Sequence, residues 1–267
     1  MQCGISTACF YPQDTLESLK RTLALRPGCA EIFLNTFREW DPPYLEALCR
    51  ARQKAGVPVV SVHPFTCGLE PFLFFTAYDT RFEDGLLLYR RYFEACRALG
   101  AKILVFHGNH KARPLPMQEY AARFCRLCEE GERYGVMVAH ENVERCQCGQ
   151  PEALRALRRY ASRPIRFVLD LKQARRAGAD VYEVAAAMGP ENICHLHLSD
   201  EAPGRDCIPP GEGSFDFARL LRTLYAGGFA GSAVIELYRD DFGQPQQLQK
   251  AMQAIQSIQQ QIKEEQP

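Results

Sequence analysis

Eight short apolar runs punctuate the chain, over residues 3–9, 30–34, 57–62, 102–106, 136–139, 165–169, 193–196 and 233–237. They lack polar alternation, which suits strands buried on both faces of a parallel sheet. Between them the apolar positions fall at helical spacing over 15–25, 43–54, 82–99, 118–134, 151–160, 181–188 and 217–226. A last helix is expected over about 246–263, where Leu248, Met252, Ile255, Ile258 and Ile262 share one face. Gly56, Gly100, Gly135 and the pair Gly227-Gly228 stand just past predicted helix ends, where glycine accepts the left-handed backbone that stops a helix.

Eight strands alternating with eight helices predict a single (β/α)8 barrel over residues 1–267, in the α/β class. The competing doubly wound sheet normally carries a G-x-G-x-x-G turn after its first strand, and none is present. The length of 267 residues suits one barrel domain. No run of eighteen apolar residues exists, so no membrane partner is expected.

A barrel places its functional groups at the C-terminal ends of its strands. Polar residues recur there. The third run leads to His63, the fourth to His107 with His110 beyond, the fifth to Glu141 and Asn142, the sixth to Asp170, the seventh to His197 and the eighth to Glu236. One such group alone is commonly a hydrogen-bonded structural residue. Taken together, Glu141, Asp170, His197 and Glu236 form an oxygen-rich set with one imidazole, suited to one divalent metal. Mn²⁺ is the expected ion, with Mg²⁺, Co²⁺ and Zn²⁺ as alternatives. Strand alternation turns His140 toward the helices and puts His195 one layer below His197, as a ligand-orienting group or a satisfied core residue.

Composition changes this picture little. Thirty-two basic and thirty-two acidic residues give no net charge, which weighs against nucleic acid as a partner. Met1-Gln2-Cys3-Gly4 does not open a charged and then apolar leader, so a cytoplasmic, reducing setting is expected for the twelve cysteines. Cys125 and Cys128 form a C-x-x-C inside a helical pattern, without a second pair at zinc spacing. Cys146 and Cys148 read as a surface thiol pair in a loop, and most of the others as small buried apolar residues.

The segments Val138-Ala139-His140-Glu141-Asn142, Val168-Leu169-Asp170, His195-Leu196-His197-Leu198-Ser199-Asp200, Pro210-Gly211-Glu212-Gly213 and Val234-Ile235-Glu236, in that order, resemble the xylose-isomerase-like barrel superfamily. That group includes sugar phosphate isomerases and epimerases, ketose 3-epimerases, hydroxypyruvate isomerases, inosose dehydratases and AP endonucleases. The resemblance implies a carbohydrate substrate and a metal on Glu141, Asp170, His197 and Glu236. It makes Glu141 and Glu236 an acid/base pair that moves a proton beside a carbonyl.

Two positions depart from the pattern. Gln173 stands where the superfamily often has a histidine, and Cys207 stands at another apparent histidine position. Both would belong to the third metal site of the endonucleases. His63 and His107 are kept, either as contacts to substrate hydroxyls or, with Glu141, as holders of a second metal. The expected substrate-binding set is therefore His63, His107, Gln173 and Arg205, the last for a hydroxyl, carboxylate or phosphate. Asp200 is expected to orient His197 or the following loop.

The leading expectation is a metal-dependent isomerase or epimerase of a sugar, sugar phosphate or keto-polyol. A lyase or dehydratase on a keto sugar or inosose, and an AP endonuclease, are the alternatives. A Schiff-base aldolase using Lys172 is a further competing reading, and a metal-bearing barrel that binds without catalysis is the non-enzyme one. Trp40 and the aromatic loop with Phe72, Phe74 and Phe75 are expected to cover the barrel mouth, or the three phenylalanines to make a homo-oligomer contact.

Overall fold

The computed structural model describes residues 1–265. Eight parallel strands close into a barrel: β1 (Cys3–Ser6), β2 (Ala30–Leu34), β3 (Val59–Pro64), β4 (Ile103–Phe106), β5 (Met137–Glu141), β6 (Arg166–Asp170), β7 (Ile193–Leu198) and, after a short hairpin, β10 (Ser232–Ile235). Each pairs with its sequence neighbour, and β1 closes the ring on β10 with Gly4 opposite Val234. Ten α-helices surround it: α1 (Thr15–Ala24), α2 (Tyr44–Ala55), α3 (Glu70–Phe74), α4 (Asp79–Leu99), α5 (Met117–Arg133), α6 (Pro151–Tyr160), α7 (Leu171–Arg176), α8 (Val181–Met188), α9 (Phe217–Ala226) and α10 (Pro245–Glu264).

The sequence pattern anticipates all eight barrel strands and the eight longer helices. It misses α3, α7 and the antiparallel hairpin of β8 (Asp200–Ala202) and β9 (Arg205–Ile208). These elements are short, three to six residues, and carry too few periods to read. All three follow strand ends on the C-terminal side, where a barrel builds its site. Among the described residues no helix is long and apolar enough to cross a membrane.

Two apolar regions stabilise the fold. The larger fills the space between strands and helices, and its aromatic centre joins Phe74, Tyr89, Phe106 and Phe124. The smaller lies inside the barrel, where Ile103, Val105, Ala139 and Val168 meet. The opposite side of the same interior is polar: Glu31, Ser61 and His195 are fully buried there. That asymmetry carries the site.

Candidate metal centre and active site

Glu141 ends β5, Asp170 ends β6, His197 lies near the end of β7 and Glu236 follows β10 by one residue. Their ligand atoms all fall within 4.8 Å of one another. His197 is central. Its Nδ1 lies 3.5 Å from Glu141 Oε1, 3.7 Å from Asp170 Oδ2 and 3.2 Å from Glu236 Oε2.

Local structure aims these groups. Asp170 caps α7: its Oδ1 accepts from the Gln173 amide at 2.8 Å, which leaves Oδ2 to face the cluster. Asn142 joins the two strand ends, donating from Nδ2 to the Asp170 carbonyl at 2.9 Å and accepting from the Asp170 amide at 2.8 Å.

Beneath the cluster is a carboxylate that the sequence analysis did not single out. Glu31, in the middle of the apolar run of β2, places Oε2 3.2 Å from His197 Nε2 and 3.5 Å from His195 Nε2. Ser61 donates to Glu31 Oε2 at 2.8 Å and Ser6 to Oε1 at 3.0 Å. The other ring nitrogen of His195 lies 2.7 Å from Ser232 Oγ. His195 thus supports Glu31, which in turn fixes the His197 ring. The available signal was a charge inside a buried-strand pattern, where an unpaired carboxylate is prohibitively costly.

The charges follow from these contacts. Burial pushes the Glu31 and Glu141 carboxyls up, but their histidine partners outweigh it and hold both well below the ordinary carboxylate range. Burial disfavours charge on His197 as well, yet Glu236 and Glu31 hold its pKa well above the ordinary value. Asp170 is raised by burial, with Lys172 partly offsetting.

A metal fits this donor set. Glu141 Oε2, Asp170 Oδ2 and His197 Nδ1 are buried and lack a directed hydrogen bond, although they converge on one point. Orphaned polar atoms are rare in protein interiors, and three in one cluster match the first shell of a divalent ion. Cysteines take no part in the clusters of metal-ligating groups among the described residues.

A second cluster flanks the first. His107 Nε2 lies 2.9 Å from Glu141 Oε2 and 3.0 Å from His63 Nε2. His63 Nε2 is 3.7 Å from the same carboxylate oxygen. Burial, with the neighbouring His63 adding to it, lowers the pKa of His107. On His63 burial acts the same way but is overcome by the neighbouring Glu141 carboxylate, so its pKa is raised. Glu70, fully buried, accepts from the His107 amide at 2.9 Å and the Gly108 amide at 2.5 Å, and from the Tyr89 hydroxyl at 2.6 Å. It thereby anchors the backbone that carries His107. Gly108 has φ +90°, and a Cβ there would fall 1.9 Å from the Tyr120 hydroxyl. Only glycine lets the chain leave β4 at that point.

The clusters open into a cavity of about 440 Å³ lined by His63, His107, Glu141, Lys172, Gln173 and Glu236, with Tyr11, Asn35, Phe65, Arg145 and Tyr238 among the remaining wall. A groove of about 780 Å³ at the other end of the barrel holds none of the clusters. Gln173 reaches the cavity while its Oε1 accepts from the Glu144 amide at 3.0 Å. Lys172 is buried there, with Nζ 3.2 Å from Glu236 Oε2, 3.5 Å from Asp170 Oδ2 and 4.7 Å from the Tyr238 ring centre. Burial alone would depress its pKa, but Asp170 and Glu236 hold it well above the ordinary value, which makes it a poor amine nucleophile.

Several residues fall elsewhere than expected. Arg205 is exposed on the β8–β9 hairpin, donates from Nη2 to the Asp241 carbonyl at 3.3 Å and is absent from the cavity wall. Phe74 and Phe75 are core residues, and Trp40 is buried against Tyr92, so only Phe72 of the expected cover is exposed. Phe33 and Phe65 supply the aromatic wall instead. Asp200 takes the second of its two expected roles: it accepts amides of Gly211, Gly213 and Phe215 at 2.9, 3.1 and 2.9 Å, which shapes the glycine loop and leaves His197 to Glu31. Cys146 and Cys148 are buried, because the loop folds under itself through Cys146 N to Val143 O and Gln147 N to Asn109 O. His140, by contrast, faces the helices as strand alternation predicts, 2.6 Å from the Tyr120 hydroxyl.

Comparison with known proteins gives a concordant result. The family described as xylose isomerase-like TIM barrel matches residues 27–258. An uncharacterized protein of Mycobacterium tuberculosis is 26% identical over 262 residues, covering 89% of each chain. A solved D-tagatose 3-epimerase-like protein superposes with a TM-score of 0.79 at 17% identity, over 99% of each chain. The IolI protein, solved with a zinc atom, superposes with a TM-score of 0.74 at 18% identity, over 98% of each. At such identities the structural likeness is one of fold.

Proposed function

The chain belongs to the xylose isomerase-like TIM barrel family, and from that premise we propose that it is a divalent-metal-dependent isomerase or epimerase of a sugar, sugar phosphate or keto-polyol. The observation that carries this reading is the convergence of Glu141, Asp170, His197 and Glu236, with three orphaned buried atoms, at the floor of a sugar-sized cavity. One structural neighbour is a D-tagatose 3-epimerase-like protein and another holds a zinc atom, in keeping with this reading.

Moving a proton at a carbon beside a carbonyl needs a base, an acid and a way to hold negative charge on oxygen. Glu141 and Glu236 are the acid/base pair. Both line the cavity, and their strands, β5 and β10, are separated by β6 and β7 in the ring. They therefore approach a bound carbon from different sides. Removal by one and return by the other inverts the carbon, whereas return to the adjacent carbon isomerises the sugar. Glu141, Asp170, His197 and Glu236 would hold a divalent ion, which when bound would supply Lewis acidity at the carbonyl oxygen. Mn²⁺ suits three carboxylates and one imidazole. His63, His107 and Gln173 hold substrate hydroxyls, and Lys172 pairs with Glu236.

The test uses purified protein stripped of metal and then given Mn²⁺, with ketoses, ketose phosphates and keto-polyols in deuterated water. Metal-dependent entry of deuterium at the carbon beside the carbonyl is the expected result. Metal binding without exchange in any substrate of the panel would overturn the reading. The His63, His107 and Glu141 cluster supports a second reading, a two-metal phosphodiesterase of the AP endonuclease kind. Two ions per chain together with incision of an abasic duplex would establish it in place of the first. Loss of water from the substrate instead of rearrangement would mark a lyase or dehydratase.

A further inference from the structure

We infer that the substrate carries an anionic group, a carboxylate or a phosphate, and that Arg145 binds it at the mouth of the cavity; this rests on the sugar-isomerase reading above. The inference starts from the charged groups that line the cavity. Glu141 is engaged by His63, His107 and His197. Glu236 is engaged by His197 and Lys172. Lys172 is committed to Glu236 and Asp170. Arg145 is the exception: among the described residues its guanidinium has neither a carboxylate partner nor a hydrogen bond. The adjacent acid, Glu144, is taken by Lys111.

The position is built and not merely exposed. The Arg145 carbonyl accepts from the Lys111 amide at 3.0 Å, and the next residue, Cys146, bridges to His110. Gln147 N donates to Asn109 O at 2.7 Å, and Gln173 holds the Glu144 amide. The loop is thus tied both to the end of β4 and to α7. Arg145 shares the cavity wall with His107 and Cys67, which follow β4 and β3. The acid/base carboxylates lie on the floor. A substrate whose reacting carbon meets Glu141 and Glu236 therefore directs its far end toward a planar fork of donors, which matches carboxylate and phosphate oxygens.

The experiment measures binding to the Mn²⁺-supplied protein and its Arg145→Met variant by calorimetry, with two matched pairs of probes. D-Ribulose is compared with D-ribulose 5-phosphate, and D-fructose with 2-keto-D-gluconate. Arg145 is exposed, so the variant is expected to fold as the parent does. The expected result is that at least one anionic probe binds the parent about tenfold or more tightly than its neutral partner, and that Arg145→Met removes the difference. The pair that shows the preference identifies phosphate or carboxylate. Equal binding of neutral and anionic probes, an anion preference that survives in Arg145→Met, or no binding of any probe would overturn the inference. Deuterium exchange into a neutral ketose, equal in both proteins, would overturn it while leaving the isomerase reading intact.

Discussion

Glu31 Oε2 lies 3.2 Å from His197 Nε2, on the far side of the ring from the Nδ1 that faces the Glu141, Asp170 and Glu236 carboxylates. One buried carboxylate thus selects which nitrogen of the ring points into the site. Such outer partners orient a ligand and raise its basicity.

Replacing Glu31 with Gln should weaken Mn²⁺ binding by about 10–100-fold while the fold persists. Gln retains hydrogen bonds to Ser6 and Ser61 but removes the charge beneath His197. Titration with Mn²⁺, read by calorimetry, checks this. Unchanged affinity would show that Glu31 acts only in packing.

Glu141→Gln and Glu236→Gln should each slow deuterium exchange by roughly 10²–10⁴-fold, the usual worth of a positioned acid or base. Each variant also loses a charged ligand, so metal content is measured alongside. A fully loaded variant exchanging at the parent rate would remove that residue from proton transfer.

Lys172 is 4% exposed and pairs with Glu236 and Asp170. Lys172→Met leaves buried carboxylates without their cation. A broken buried pair costs about 3–5 kcal/mol, so the metal-free variant should melt well below the parent. Mn²⁺ supplies a counter-charge and should narrow that gap. Thermal unfolding with and without the ion reads both effects.

Burial pushes the Glu70 carboxyl from its ordinary 4.5 up to about 8, although hydrogen bonds from Tyr89, Gly108 and His107 oppose the shift. The native state therefore keeps a proton that the unfolded chain releases. Its contribution is complete below the unfolded value and is lost as pH rises through about 8. Denaturant titrations from acid to mildly alkaline pH should show the parent losing stability across that window relative to Glu70→Gln. Parallel profiles would contradict a protonated Glu70.

Mn²⁺ itself should stabilise the protein, since the orphaned atoms meet only in the folded chain. At a free concentration near 100 Kd the gain is about 2.7 kcal/mol. A chelator should reverse it. No change in melting temperature would argue against the centre.

The strand and helix periods and the polar residues closing successive apolar runs were legible from local pattern alone. That is why Glu141, Asp170, His197 and Glu236 could be named before any contact was known. Aromatic side chains were less legible: Phe72, Phe74 and Phe75 look equivalent along the chain, yet a single turn of α3 buries two and exposes one. Arg205 was placed in the substrate set for its fork of donors, but an antiparallel hairpin turns it outward.

By itself, the sequence determined the barrel and the rim of polar strand-end residues, because both depend on periodicity and on strand ends. Closure of the ring decided the rest. Glu31 and His197 are 166 residues apart, and Lys172 and Glu236 are 64 apart. Only the register that joins β1 to β10 and stacks the strand ends places these charges together. Burial then makes each pairing obligatory, since a lone charge in that interior costs more than its contacts elsewhere could return.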